Sequence, residues 1–101
     1  MNAPSKVQLA ALVAIADGWK REHPPTIREL GAILGHRSTN ATADVVTALL
    51  KKGLAEKPRT SARLIRLTRA GKAAVWAYRV RTLEEEAEKL KGLVLAQAVV
   101  R

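Results

Sequence analysis

The side chains able to do covalent or metal chemistry are few and poorly spaced. His23 and His36 stand thirteen residues apart, with no cysteine in the chain and no carboxylate cluster beside either. A zinc-type site needs three or four such ligands brought together, so no metal is expected. Ser5, Ser38 and Ser61 lack the accompanying His and Asp that activate a hydroxyl, and Gly71-Lys72 lacks the glycine that opens a phosphate loop. Neither an enzyme nor a cofactor is expected. What the chain holds in quantity is cationic chemistry: 18 Lys and Arg against 9 Asp and Glu in 101 residues, a net charge of +9.

That charge is concentrated. Residues 1–79 carry fourteen basic and five acidic side chains, whereas residues 80–101 carry four of each. The densest stretch is 51–72, where Lys51, Lys52, Lys57, Arg59, Arg63, Arg66, Arg69 and Lys72 stand against Glu56 alone. A charge run is ordinarily a solvated face, but with so few carboxylates this one reads as a polyanion-binding surface. Aromatic residues are limited to Trp19, Trp76 and Tyr78, too few for single-strand recognition by base stacking. A duplex held through its phosphates needs only Lys and Arg. No apolar run approaches the ~20 residues of a membrane span, and no basic lead-in marks a signal peptide, so the expected setting is soluble and cytoplasmic.

The elements that must position these groups can be read from period and punctuation. Leu9, Leu12, Ile15, Ala16 and Trp19 recur at spacings of three and four, predicting a helix from Ser5 to about Glu22, with Gly18 weakening its last turn and Pro24-Pro25 ending it. Thr26-Ile27-Arg28-Glu29 is a capping box for a second helix of about two turns, with Ile27, Leu30, Ile33 and Leu34 inward and Gly35 as its stop. After a tight connection over 35–38, Ser38 or Thr39 caps a third helix to about Lys52, closed by Gly53. Its inward stripe is Thr42, Val46, Leu49 and Leu50, with Val45 at the edge. The opposite face carries Asn40, Ala41, Asp44, Thr47, Ala48 and Lys51, small and mostly uncharged, which lets a backbone approach another surface closely. Strand-like runs at 54–58 and 63–67, joined by a turn over 59–62, predict a hairpin. Thr68 then caps a long final helix. The fold class is therefore mostly α with a small β-hairpin.

Three stretches together, Pro24-Pro25-Thr26-Ile27-Arg28-Glu29-Leu30, Leu34-Gly35-His36-Arg37-Ser38-Thr39-Asn40-Ala41 and Leu49-Leu50-Lys51-Lys52-Gly53, resemble the N-terminal DNA-binding domain of the LexA repressor family, a winged helix-turn-helix. The resemblance covers roughly residues 5–70, and Leu67-Thr68-Arg69-Ala70-Gly71 is similar to the junction found in other bacterial winged helices. It implies that Ser38, Asn40 and Ala41 read base edges from the start of the third helix. Asp44 lies one turn further along on the same face. An Asn amide suits adenine N6 and N7, and a carboxylate accepts from cytosine N4. Phosphate or wing contacts are implied for Thr26, Arg28, Arg37, Thr39, Lys51, Lys52, Arg59, Thr60, Ser61 and Arg63, which set register and affinity without reading sequence. The chain departs from the family at Ala43, where a second acid is usual, and at His36, where an aromatic is usual. About thirty residues follow the wing, too few for the family's self-cleaving C-terminal domain. Ala70-Gly71, similar to the family's cleavage bond, therefore reads as a helix start.

Residues 1–70 are thus expected to form the DNA-binding domain and 71–101 a C-terminal dimerisation helix. Trp76, Val80, Leu83, Ala87, Leu90 and Val94 are spaced four, three, four, three and four, a heptad seam of about two and a half repeats. Either that helix packs across its own domain or it pairs with a second copy. The second is expected, because a long helix should outrun so small a body and a dimer doubles the contacts on a palindromic site. Gly92 is expected to interrupt the helix, leaving 93–100 as helix or strand. The expected function is a repressor-type, nucleoid-associated regulator of duplex DNA acting as a homodimer on an inverted repeat, with room for a protein co-regulator. The alternatives are a winged-helix module for protein contacts and a nonspecific architectural DNA binder.

Overall fold

The computed structural model describes residues 3–57 and 65–100, the side chains of 96–100 excepted. The order is α1 (Lys6–Lys20), α2 (Ile27–Leu34), α3 (Thr39–Lys51), β1 (Ala55–Glu56), β2 (Arg66–Leu67) and α4 (Arg69–Val100).

α1 opens on a capping box that the Ser5-Lys6-Val7-Gln8 spacing encodes. Ser5 Oγ accepts from the Gln8 N–H at 3.3 Å, and Gln8 Oε1 accepts from the Ser5 N–H at 3.0 Å. Its end is decided before the prolines. Glu22 turns left-handed with φ 58°, the Glu22 N–H donates to the Trp19 carbonyl and the His23 N–H to the Gly18 carbonyl. This is a Schellman closure built on a glutamate where glycine is the usual residue. α2 starts on the predicted Thr26–Glu29 box, with both bonds at 3.1 Å, and ends at Gly35 in the left-handed region. Ser38, not Thr39, caps α3.

The core is a single cluster in which Leu12 and Ile15 of α1, Leu30 of α2, Val46 and Leu49 of α3, Leu54, Ile65 and Leu67 around the hairpin, and Val75 of α4 meet. β1 and β2 pair antiparallel with Ala55 opposite Leu67 and Glu56 opposite Arg66. The pairing alternates as one buried face requires: Ala55 and Leu67 point inward, while Arg66 Nε holds Glu56 Oε1 at 2.8 Å outside. Among the described residues the hairpin pairs 55–56 with 66–67, and residue 58, the expected turn at 59–62 and residues 63–64 fall outside them. Trp19 Nε1 donates to the Ile65 carbonyl at 2.7 Å, tying α1 to the start of β2, so Trp19 serves as a strap more than as core.

Two expectations, at Ile33 and at Gly92, are corrected. Ile33 is exposed, not inward; the apolar stripe of α2 is wider than the face its neighbours cover, and Ile33 lies on the rim beside α1. Trp76, on the expected seam, is 71% exposed, and Val75, one residue earlier, is the α4 side chain in the core. Gly92 does not break α4, which continues to Val100, because one interior glycine costs only about 1 kcal/mol against hydrogen bonds on both sides. Residues 93–100 are therefore helical.

Among the described residues, α4 is anchored near its start. Thr68 Oγ1 donates to the Gly53 carbonyl at 2.5 Å and accepts from the Gly71 N–H at 3.2 Å, and Arg79 Nη2 donates to Asp17 Oδ1 at 2.5 Å. From Leu83 to Leu95 every residue is exposed, so the helix does not pack across its own domain there. The molecule accordingly measures 62 × 28 × 27 Å, with a radius of gyration of 17.0 Å, against about 13 Å for a compact chain of this length.

Candidate nucleic-acid interface

α2 and α3 are joined by four residues and meet at a very close contact. A Cβ placed on Gly31 would stand 2.7 Å from Thr42 Oγ1, so only glycine lets the two helices approach this far. Thr42 is fully buried, and its hydroxyl lies 2.9 Å from His36 Nδ1. The turn is thereby fastened to the second turn of α3.

That fastening leaves one face of α3 outward. Asn40, Ala43, Asp44, Thr47 and Lys51 are exposed, while Ala41 and Ala48 are half-buried beside them. Asn40, Asp44, Thr47 and Lys51 follow the i, i+4, i+7, i+11 spacing of a single stripe. Thr47 completes it and was absent from the residues singled out for base reading, although the same periodicity marks it. Ser38 contributes differently from Asn40. Its Oγ accepts from the Ala41 N–H at 3.4 Å as the α3 cap, leaving its hydroxyl proton as the group free to donate outward.

Arg28, Arg37 and Thr39 are exposed around an open concavity that Ile27, Gly31, His36, Ser38 and Thr42 also line. The two arginines thus share this concavity with the N-terminal end of α3. Thr26 is in a different position. Its N–H donates to Glu29 Oε1 and its hydroxyl accepts from the Glu29 N–H, so the chain's own carboxylate sits where an external anion would meet the N-terminus of α2. The Thr26 N–H bond, then the contact of His23 Nε2 at 3.2 Å and the Thr26 hydroxyl, hold Glu29 below the ordinary carboxylate range.

The two lysines that end α3 also part company. Lys51 is exposed on the stripe. Lys52 turns back: its Nζ donates to Gln8 Oε1 at 2.6 Å and to the Ala3 carbonyl at 3.2 Å, joining α3 to the start of α1. Two of the three ammonium donors are thereby committed within the chain. Arg59, Thr60, Ser61 and Arg63 of the expected wing lie outside the described residues.

The set brought together is a small-residue helix face carrying an amide, a carboxylate, a hydroxyl and an ammonium, with two arginines at the concavity by the start of its helix. Such a face can enter a major groove, present hydrogen-bonding groups to base edges and hold flanking phosphates. Among the described residues, no helix is long and apolar enough to cross a membrane.

Comparison with known proteins agrees with this geometry. A LexA repressor from Sorangium cellulosum (strain So ce56) is 43% identical over 47 residues, which is 46% of this chain and 20% of that protein. The chain thus matches about a fifth of that relative's length. The LexA DNA binding domain family matches residues 5–64, which take in α1, α2, α3 and β1. The chain belongs to the LexA DNA-binding domain family.

Proposed function

We propose that the protein is a sequence-specific regulator of transcription, a repressor, that inserts α3 into the major groove of duplex DNA and acts as a homodimer on an inverted repeat. The observation that carries this reading is the exposed stripe Asn40, Asp44, Thr47 and Lys51, with Arg28 and Arg37 exposed at the concavity by the start of α3, in a chain of the LexA DNA-binding domain family. Asn40 and Asp44 read base edges, with Ser38 and Ala41 at the rim. Arg28, Arg37, Thr39 and Lys51 hold phosphates, and the basic segment with Arg59, Thr60, Ser61 and Arg63 touches the neighbouring backbone or minor groove. Dimerisation runs through Trp76, Val80, Leu83, Ala87, Leu90 and Val94 of α4. A cytoplasmic setting on the nucleoid follows from the ligand.

A protein-docking module would present large apolar or aromatic anchors on α3, and its outward residues are instead small and polar. The experiment is selection of bound duplexes from a random library at about 150 mM salt, where phosphate contacts alone are weakened. An enriched inverted repeat supports the reading, and its half-site spacing reports the dimer. Binding without enrichment replaces it with an architectural role, and no binding with a protein partner.

A further inference from the structure

Resting on the homodimer reading above, we infer that two copies of α4 pair as a parallel, in-register two-stranded coiled coil that sends the two DNA-binding bodies to opposite sides of its near end. The first support is the placement of the seam. Val75 is buried in the core and Arg79 reaches Asp17 of α1, so these residues mark the side of α4 that faces the body. Trp76 lies one residue on from Val75, about 100° around the helix. Trp76, Leu83, Leu90 and Val94 are each exposed by more than half, at 71, 64, 63 and 63%. The apolar stripe therefore runs beside the body, with Val80 half-buried and its other members exposed. A two-fold axis along that stripe turns the second body to the far side.

The second support is charge, and it selects the direction. With Val80, Ala87 and Val94 at a and Trp76, Leu83 and Leu90 at d, the flanking g positions are Arg79 and Glu86, and the e positions are Glu84 and Lys91. In a parallel pair each g residue meets the e residue five places on in the second helix. That puts Arg79 against Glu84 and Glu86 against Lys91, opposite charges in both cases. In the antiparallel pair of full overlap, g meets g and e meets e about the midpoint. Glu86 would then face Glu86 and Glu84 would face Glu84. Arg79 can serve both partners, since only one of its five N–H donors is committed to Asp17. Gly92 and Glu85 fall at f, the outermost position, so the glycine does not interrupt the seam.

The chain has no cysteine, which makes a single introduced thiol a clean reporter. Val94→Cys and, separately, Ala87→Cys are oxidised in the full chain, with Gly92→Cys as the outward-facing control, while sedimentation of the unmodified chain reports its mass. The result expected is a dimer by sedimentation, a disulfide-linked dimer at 94 and at 87, and little linkage at 92. Parallel pairing sets the two 94 positions side by side, whereas the antiparallel pair separates them by about 27 Å along the axis. A sedimenting dimer that does not link at 94 overturns the parallel arrangement and leaves the homodimer standing. A monomer at the highest soluble concentration, with one chain bound per operator, overturns both. Equal linkage at 92 and 94 also overturns the proposed register.

Discussion

His36 Nδ1 lies 2.9 Å from Thr42 Oγ1, a bond that crosses the turn between α2 and α3 and gives the buried Thr42 hydroxyl its partner. Single replacements Thr42→Val and His36→Phe each leave one polar group without that partner and are expected to cost about 1–2 kcal/mol. Replacing both removes the bond without an orphan, so the double variant should lose less than the two single losses combined. A double-mutant cycle by denaturant unfolding measures the coupling, expected near 1 kcal/mol. Strict additivity would make the contact incidental.

A Cβ on Gly71 would stand 2.0 Å from the Leu54 carbonyl oxygen, whereas one on Gly92 meets nothing within 4 Å. The same substitution should therefore act in opposite directions at the two sites. Gly71→Ala forces the start of α4 away from the hairpin and should destabilise by about 2–3 kcal/mol. Gly92→Ala should add about 0.5–1 kcal/mol to helix stability. Thermal unfolding of the two variants compares them directly.

Glu22 occupies a left-handed closure that strains an L-residue with a Cβ. Glu22→Gly should raise stability by about 1 kcal/mol while leaving DNA binding unchanged. An unchanged or lowered unfolding midpoint would show that the side chain offsets the strain.

Glu29 titrates below its ordinary 4.5, chiefly because the Thr26 N–H donates to its carboxylate, with His23 and the Thr26 hydroxyl adding to the effect. A carboxyl whose pKa is lower folded than unfolded contributes stability that is complete above the unfolded value. That contribution is lost as pH falls through the folded one. In Glu29→Gln the amide can close the same box, as Gln8 does for α1, but cannot titrate. The stability difference between parent and variant should thus shrink as pH is lowered from about 6 toward 3. A pH-independent difference would remove the ionised cap from the account.

At the interface, Asn40→Ala should weaken binding to the selected site by about 1–3 kcal/mol and leave random duplex nearly untouched. Arg28→Ala and Arg37→Ala should weaken both and each lower the salt slope by about one. Titrations on specific and random duplexes across salt concentrations distinguish these roles. Equal loss on both duplexes for Asn40→Ala would exclude it as a base reader.

Much of the architecture was legible in the chain because its signals are local. The Thr26–Glu29 box, the Gly35 stop, the Ser38 cap and the inward period of Thr42, Val46 and Leu49 each depend on residues within about two turns of one another. The family motif over the turn and α3 added the expected interface, and the outward face of α3 emerged with it. What remained needed partners distant in sequence. No local pattern tells Lys51 from its neighbour Lys52, and only the approach of Gln8 and the Ala3 carbonyl draws Lys52 away from the outward face. Ile33 shares the apolar period of α2, yet its burial depended on how much of that helix α1 covers. Val75 and Trp76 are both apolar and adjacent; packing against the body admitted one to the core and left the other outside. Sequence by itself determined the helices, their caps and the sign of the surface, because backbone hydrogen bonding and charge are properties of short segments. Only the tertiary structure decided which lysine stays exposed, which apolar side chains are covered and that α4 projects past the body, because burial belongs to surfaces that meet after the chain has folded.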